Sequence, residues 1–209
     1  ALAVASSGIA AILLELGRTF HSRFKAERLH PAPNQTLNVS AQTQLADLLR
    51  RCKAIFWDEA AMGNKYHLEA LDKTLRDFMS TVDPHLAHVP FGGKTIVLGG
   101  DFRQTLPIVR FASRAQTLEV ALTRSFLWGG FATFKLDENM RIEKARELLE
   151  ASHGGDNDDE DAAALLERLE AFAQWLLRIG EGKEPTDDLG HIAVPRANCL
   201  PEGCNLDAL

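Results

Sequence analysis

Two acidic residues, Asp58 and Glu59, stand side by side directly after the apolar run Ala54-Ile55-Phe56-Trp57. Carboxylates placed at the end of a buried strand have a definite chemistry open to them. One can hold Mg2+, a hard ion that takes one or two carboxylates and keeps several waters. The other can draw the proton from a water attacking phosphorus, a contribution of about 10²–10⁴ in rate. That pairing suits a nucleoside-triphosphatase. The plain alternative is a pair of exposed acids that caps the next helix.

A second cluster lies in "TIVLGGDFRQTLPIV", residues 95–109. An apolar run leads into Gly99-Gly100, and then come Asp101, Arg103, Gln104 and Pro107. Glycines let the backbone approach a ligand closely. Gln104 carries a donor and an acceptor, so it can report whether a γ-phosphate is present. The alternative is a Gly-Asp turn with a solvent-facing Gln. A third cluster, "LDENMR" (136–141), ends on Arg141. A well-placed arginine neutralises transition-state charge in phosphoryl transfer, worth about 10³–10⁵ in the best cases. Read blandly, it is an Arg in the first turn of a surface helix.

The stretch 18–28 interleaves Arg18, Arg23, Lys25 and Arg28 with Phe20 and Phe24. Cations with interleaved rings form a platform for single-stranded nucleic acid, where stacking contributes about 1–3 kcal/mol per base. The Ser6-Ser7-Gly8 turn before it would offer helix N-terminal amides to a backbone phosphate. An amphipathic loop is the competing reading. Gly93-Lys94-Thr95 resembles the end of a phosphate loop, G-x-x-x-x-G-K-[ST], but His88 stands where its first glycine belongs. Such a loop follows a strand and opens a helix, whereas Lys94-Thr95 opens a strand. His85 and His88 have no third ligand nearby and read as solvent-exposed.

These clusters need elements to hold them. "ALAVA" (1–5), "AIFW" (54–57), "TIVLG" (95–99), "FATFKL" (131–136) and the start of "HIAV" (191–194) read as strands. Helices are expected over 9–16 and 41–51, along Leu68, Leu71, Leu75 and Phe78, and along Leu165, Leu169, Phe172, Leu176 and Ile179, with Trp175 in the core. Continuously apolar strands alternating with helices mean an α/β fold with a parallel sheet, flanked by helices on both faces. Ligands of such sheets bind beyond the carboxyl ends of the strands, where Ser6, Asp58 and Asp101 all fall.

Composition sets outer bounds. At 209 residues, with 45% hydrophobic and 25% charged residues, the chain supports a full core without staples. The net charge of −6 argues mildly against a nucleic-acid binder, but part of the acid excess is local, in Asp156, Asp158, Asp159, Glu160 and Asp161. The three cysteines, Cys52, Cys199 and Cys204, form no CxxC pair, which points to a reducing compartment, cytosol or nucleus. No apolar run has membrane-spanning length. With no initiator Met, the sequence reads as starting partway through a longer chain.

Together the motifs resemble those of the Pif-type DNA helicases of superfamily one, which include the helicase part of Helitron transposons. "ASSGIAAILLELGRTFHSRF" resembles the motif Ia region, and "IFWDEAAM" with "LEALDKTLRD" the Walker B motif and its following helix. "FGGKTIVLGGDFRQTLPIV" resembles motif III, "LDENMR" motif IV, and "FAQWLLRIGEGKEP…HIAVP" the segment after it. The resemblance implies a RecA-like P-loop NTPase lobe, incomplete, in an ATP-dependent motor that unwinds DNA 5′ to 3′ in repair, recombination or telomere maintenance, or in transposition. It implies Mg2+ held by Asp58, Glu59 as catalytic base, Gln104 as γ-phosphate sensor and Arg141 as arginine finger, all four lining the ATP site. Ser7, Gly8, His21, Arg23 and Phe24 would lie along the DNA, with single strands and forks as partners. The nucleus is the expected location, with the mitochondrion as alternative.

On this reading residues 1–141 form the first lobe without its phosphate loop, and 142–209 a connector with an acidic insert at 153–161. A truncated transposon remnant that at most binds nucleic acid is the rival reading. A clamp-loader-like switch is a third, and it leaves "GGDFRQTLP" unexplained. The isolated 209 residues are expected to hydrolyse little or no ATP.

Overall fold

The computed structural model describes residues 1–26, 31–152 and 158–195. Arg28, Asp156, Cys199 and Cys204 lie outside the described residues, as does the 153–157 part of the acidic run. The chain divides into two compact units, Ala1–Phe134 and Lys135–Leu209.

The first unit is built on a four-stranded, wholly parallel sheet of order β2-β1-β3-β4. Its strands are β1 (Leu2–Ala5), β2 (Arg18–Thr19), β3 (Ala54–Asp58) and β4 (Thr95–Leu98). Short helices α1 (Gly8–Leu13) and α2 (Phe20–Phe24) follow β1 and β2, and α3 (Gln44–Arg51) leads into β3. The long α4 (Lys65–Ser80) crosses from β3 toward β4, and α5 (Arg114–Glu119) comes after the sheet. Side-chain caps fix where these helices begin. Ser7, Thr43 and Asn64 each accept a backbone N–H of the first turn, and Ser113 with Gln116 forms a reciprocal capping box on α5.

Period two within the strands meets period 3.6 within α4 in one core. Leu2, Val4, Ile55 and Trp57 share a sheet face and are buried with Leu68, Leu71, Leu75 and Phe78. Trp57 stacks on Phe20 at 4.1 Å between centroids. The opposite face is less covered than expected. It meets the small cluster of Ala5, Ala10 and Ala11, while Phe56 and Val97 remain 45% and 41% exposed. Helices flank the sheet, but unevenly.

The buried Asp72 on α4 sets the approach to β4. Its carboxylate accepts two hydrogen bonds from Arg76 Nε, at 2.8 and 3.0 Å, and the Phe91 N–H at 2.6 Å. Phe91 and Gly92 are both left-handed, at φ 55° and 59°. A Cβ on Gly92 would stand 2.7 Å from Leu75 O, so the turn has room for glycine alone.

Lys94 then enters β4 at its amino end, opposite the edge where Asp58 lies. Its buried Nζ donates to the Arg50 and Cys52 carbonyls at 3.0 and 2.8 Å, closing the carboxyl end of α3. The lysine that mimics a phosphate loop is a helix cap, and burial holds its pKa below the ordinary lysine value.

The second unit contains α6 (Met140–Ser152) and α7 (Asp158–Gly180), tied by Arg146 to Glu170 at 2.8 Å. Two expected strands are absent among the described residues. Residues 131–136 find no partner strand to bond, and Phe134 and Leu136 stay exposed. At 191–194, Ile192 forms only an isolated bridge with Thr186. Trp175 is half-buried beside Phe172 rather than in a core, because the face of α7 carrying Leu165, Leu169 and Leu176 is itself exposed.

Candidate functional site

The carboxyl edge of the sheet gathers the polar residues. Parallel register sets Ala5 beside Asp58 and Trp57 beside Leu98, so the chains leaving β1, β3 and β4 emerge together. Backbone bonds lock them: Ser6 N–H donates to Asp58 O at 3.1 Å, Gly99 N–H to Trp57 O at 2.9 Å, and Ala60 N–H to Gly99 O at 2.8 Å. The Trp57 indole N–H donates to Ser6 Oγ at 2.9 Å, which ties the core to the edge one residue before the acids. Sequence reasoning missed this link, and a Trp directly before the acidic pair was its only trace.

Asp58 is exposed, and its Oδ1 accepts the Glu59 N–H at 2.8 Å. Glu59 is left-handed at φ 49°, and its Oε2 is buried with no hydrogen-bond partner. A non-glycine residue in that backbone region stores about 1–3 kcal/mol of strain. A partnerless buried carboxylate oxygen is likewise unfavourable unless a donor arrives. Both observations single out Glu59 among the residues at this edge.

The β4 end closes on this pair. A Cβ on Gly100 would crowd the Ala61 and Ala60 amides at 3.1 and 3.2 Å, so that glycine lets the loop sit tightly against the turn after the acids, whereas one on Gly99 would make only ordinary contact with Asp58 Oδ1 at 3.5 Å. Asp101 then organises the next turn of the chain. It accepts Arg103 N–H at 2.9 Å, Arg103 Nε at 3.0 Å and Gln104 Nε2 at 3.3 Å.

The Arg103 bonds, then its charge and Gln104, hold the Asp101 carboxyl below the usual aspartate range. A depressed folded pKa adds stability above the unfolded value near ~3.9, and that stability is lost as pH falls through the folded value. NMR titration should find Asp101 ionising below ordinary aspartates, and Arg103→Ala should move it back toward ~3.9.

The structure thus sets Asp58 and Glu59 at one edge of the sheet, and the loop that carries Gln104 leaves β4 from that same edge, with Gln104 bonded to Asp101. Arg141 belongs to the second unit, exposed in the first turn of α6, where its N–H donates to the capping Asn139 Oδ1 at 3.2 Å. A cation there opposes the helix dipole.

The expected nucleic-acid residues are arranged differently from a stacking platform. Ser7 Oγ caps α1 by accepting Ala10 N–H at 3.1 Å, the Ser6 amide is already bonded, and Gly8 is exposed. Phe20 and Phe24 are both fully buried, 4.9 Å apart between ring centroids, so neither offers a face to a base. This corrects the reading of 18–28 as a stacking platform of interleaved rings: period 3.6 turns both rings inward together. His21 is half-buried, edge-on to His67 at 4.8 Å. Arg23 Nη2 donates to Leu16 O at 2.7 Å while its Nε is buried without a partner. Burial, and then the charge of Arg18, hold its pKa below the usual arginine value. Among the described residues no cluster of three or more His, Cys, Asp or Glu could hold a metal, and no helix is long and apolar enough to cross a membrane.

Known proteins resemble this chain. The family described as PIF1-like helicase matches residues 1–189. The ATP-dependent DNA helicase PIF4 of Trypanosoma brucei brucei is 35% identical over 106 residues, 49% of this chain and 12% of that protein. The ATP-dependent DNA helicase Pif1 of Bdellovibrio bacteriovorus is 28% identical over 185 residues, 78% of this chain and 39% of that protein. The crystal structure of Bacteroides sp Pif1 in complex with ADP-AlF4 has a TM-score of 0.53 at 20% identity, covering 75% of this chain and 37% of that one. The chain therefore spans less than half the length of these relatives. The fold is that of a RecA-like lobe, and the chain belongs to the PIF1-like helicase family.

Proposed function

We propose that this chain forms the first-lobe part of a motor that couples ATP hydrolysis to 5′-to-3′ DNA unwinding, with single-stranded DNA and forks as its substrates. The observation that carries the proposal is the buried, partnerless Glu59 Oε2 beside the exposed Asp58 at the carboxyl edge of a parallel sheet. A general base needs an acceptor free to take a proton, and a site for Mg2+ needs an accessible carboxylate with few competing bonds. The residues fit both.

Bound magnesium supplies charge neutralisation for the triphosphate, and Asp58 is the residue assigned to hold it. Glu59 takes a proton from the attacking water. The new O–P bond forms as the bond to the ADP leaving oxygen breaks, giving ADP and phosphate. Gln104 trades its bond to Asp101 for the γ-phosphate. Arg141 is assigned to transition-state charge. Ser7, Gly8, His21 and Arg23 are kept as the DNA-side residues, and Phe24 supports them from the core. Repair, recombination or telomere maintenance is the proposed setting, in the nucleus or mitochondrion.

Strand displacement by the full-length protein tests this. Duplexes with a 5′ single-stranded tail should open in the presence of ATP and Mg2+, and 3′-tailed ones should not. Binding of both tails without opening of either would favour the remnant reading.

A further inference from the structure

Residues 99–113 have no regular secondary structure, yet they carry Gln104. The base of the loop is held by Gly99 and Gly100 against β3 and the Ala60–Ala61 turn. Its tip is held internally, since Arg103 and Gln104 both bond Asp101. Phe102, set among these polar residues, reaches outside the loop: its ring meets Trp128 edge-on at 5.4 Å. Trp128 in turn lies 6.0 Å from Phe131, and Phe131 lies 5.9 Å from Phe91, which Asp72 holds through its amide. A row of four rings therefore runs from the loop to the long helix α4.

Two glycines come directly after Trp128. Neither Gly129 nor Gly130 has a positive φ, and a Cβ on either would meet nothing within 4 Å. This conformation requires glycine at neither place, so the pair adds only backbone freedom after the Trp128 ring.

We infer that Trp128 is a positioning residue, which fixes the Asp101–Gln104 loop through Phe102 and so places Gln104 for hydrolysis. The inference rests on the ATP-hydrolysing reading of the site. Displacement of a positioned group by about 1 Å can lower turnover by as much as ~10²-fold.

The test is steady-state ATPase kinetics of the full-length protein with single-stranded DNA. Trp128→Ala should lower kcat roughly tenfold with little change in KM, because the loop aids the reaction more than binding. Trp128→Phe keeps a ring and should restore most of the rate. Phe102→Leu should reproduce the Ala phenotype, and the double variant should be no worse than either single one, as for two residues acting through one contact. A folded Trp128→Ala protein with wild-type kcat, or a double variant with additive losses, overturns the inference. If Trp128→Ala fails to fold, Phe102→Leu alone decides by the same criterion. Glu59→Gln run in parallel separates the two ideas: if it too hydrolyses normally, the reading of the site has failed rather than the role of Trp128.

Discussion

Replacing Glu59 by Gln in the full-length protein is expected to lower ATP hydrolysis by about 10²–10⁴, the range of a lost general base. Gln has the same length and can occupy the same left-handed backbone, so the change removes basicity and little else. Asp58 keeps its bond from the amide of residue 59, because that bond involves the main chain. Binding of Mg2+ and nucleotide should therefore stay within a few-fold of wild type, measured by fluorescent-nucleotide titration. Single-turnover hydrolysis reads the chemical step directly. Unchanged turnover would remove Glu59 from the reaction and with it the strongest support for the motor. Loss of binding and turnover together would instead mean that Glu59 is chiefly a ligand-side charge.

The largest stability effect is expected far from that edge, at Asp72. Its carboxylate is buried and satisfies Arg76 and the Phe91 amide at once. Asp72→Ala leaves that amide without a partner and the guanidinium without its counter-charge. Removing one member of a buried pair costs about 3–5 kcal/mol. Arg76 is partly exposed and can turn to water, so the loss should be near the lower end, about 3 kcal/mol. Urea unfolding should show it as a lower midpoint at similar slope. A loss below about 1 kcal/mol would mean that water replaces the carboxylate freely at the Phe91 turn.

Asp72 was not legible in the sequence. It occupies a polar slot on a helix whose apolar stripe alone was readable, and its partner amide is 19 residues away. Asp58 and Glu59 were legible because the apolar run before them fixes both the strand and its end. The start of the loop that carries Gln104 was legible for the same reason, through β4. The rings of Phe20 and Phe24 were misread because charges on either side disguised a four-residue helical spacing that turns both inward. The strand expected at 131–136 failed because periodicity specifies a shape, whereas a strand also needs a neighbour with free backbone groups. Lys94 was rightly set aside as a phosphate lysine, but its bond to the end of α3 depends on packing between distant segments and left no local pattern.

The left-handed backbone at Glu59 carries one more consequence. Gly or Asn would fit φ 49° with less strain than Glu does. Either would also leave no partnerless carboxylate in a buried place. Selection for thermal robustness alone would thus empty this position of its acid, while on the proposed reading selection for turnover would keep it. The two pressures oppose each other at a single residue, and a lineage released from the need for catalysis would be free to drift there first.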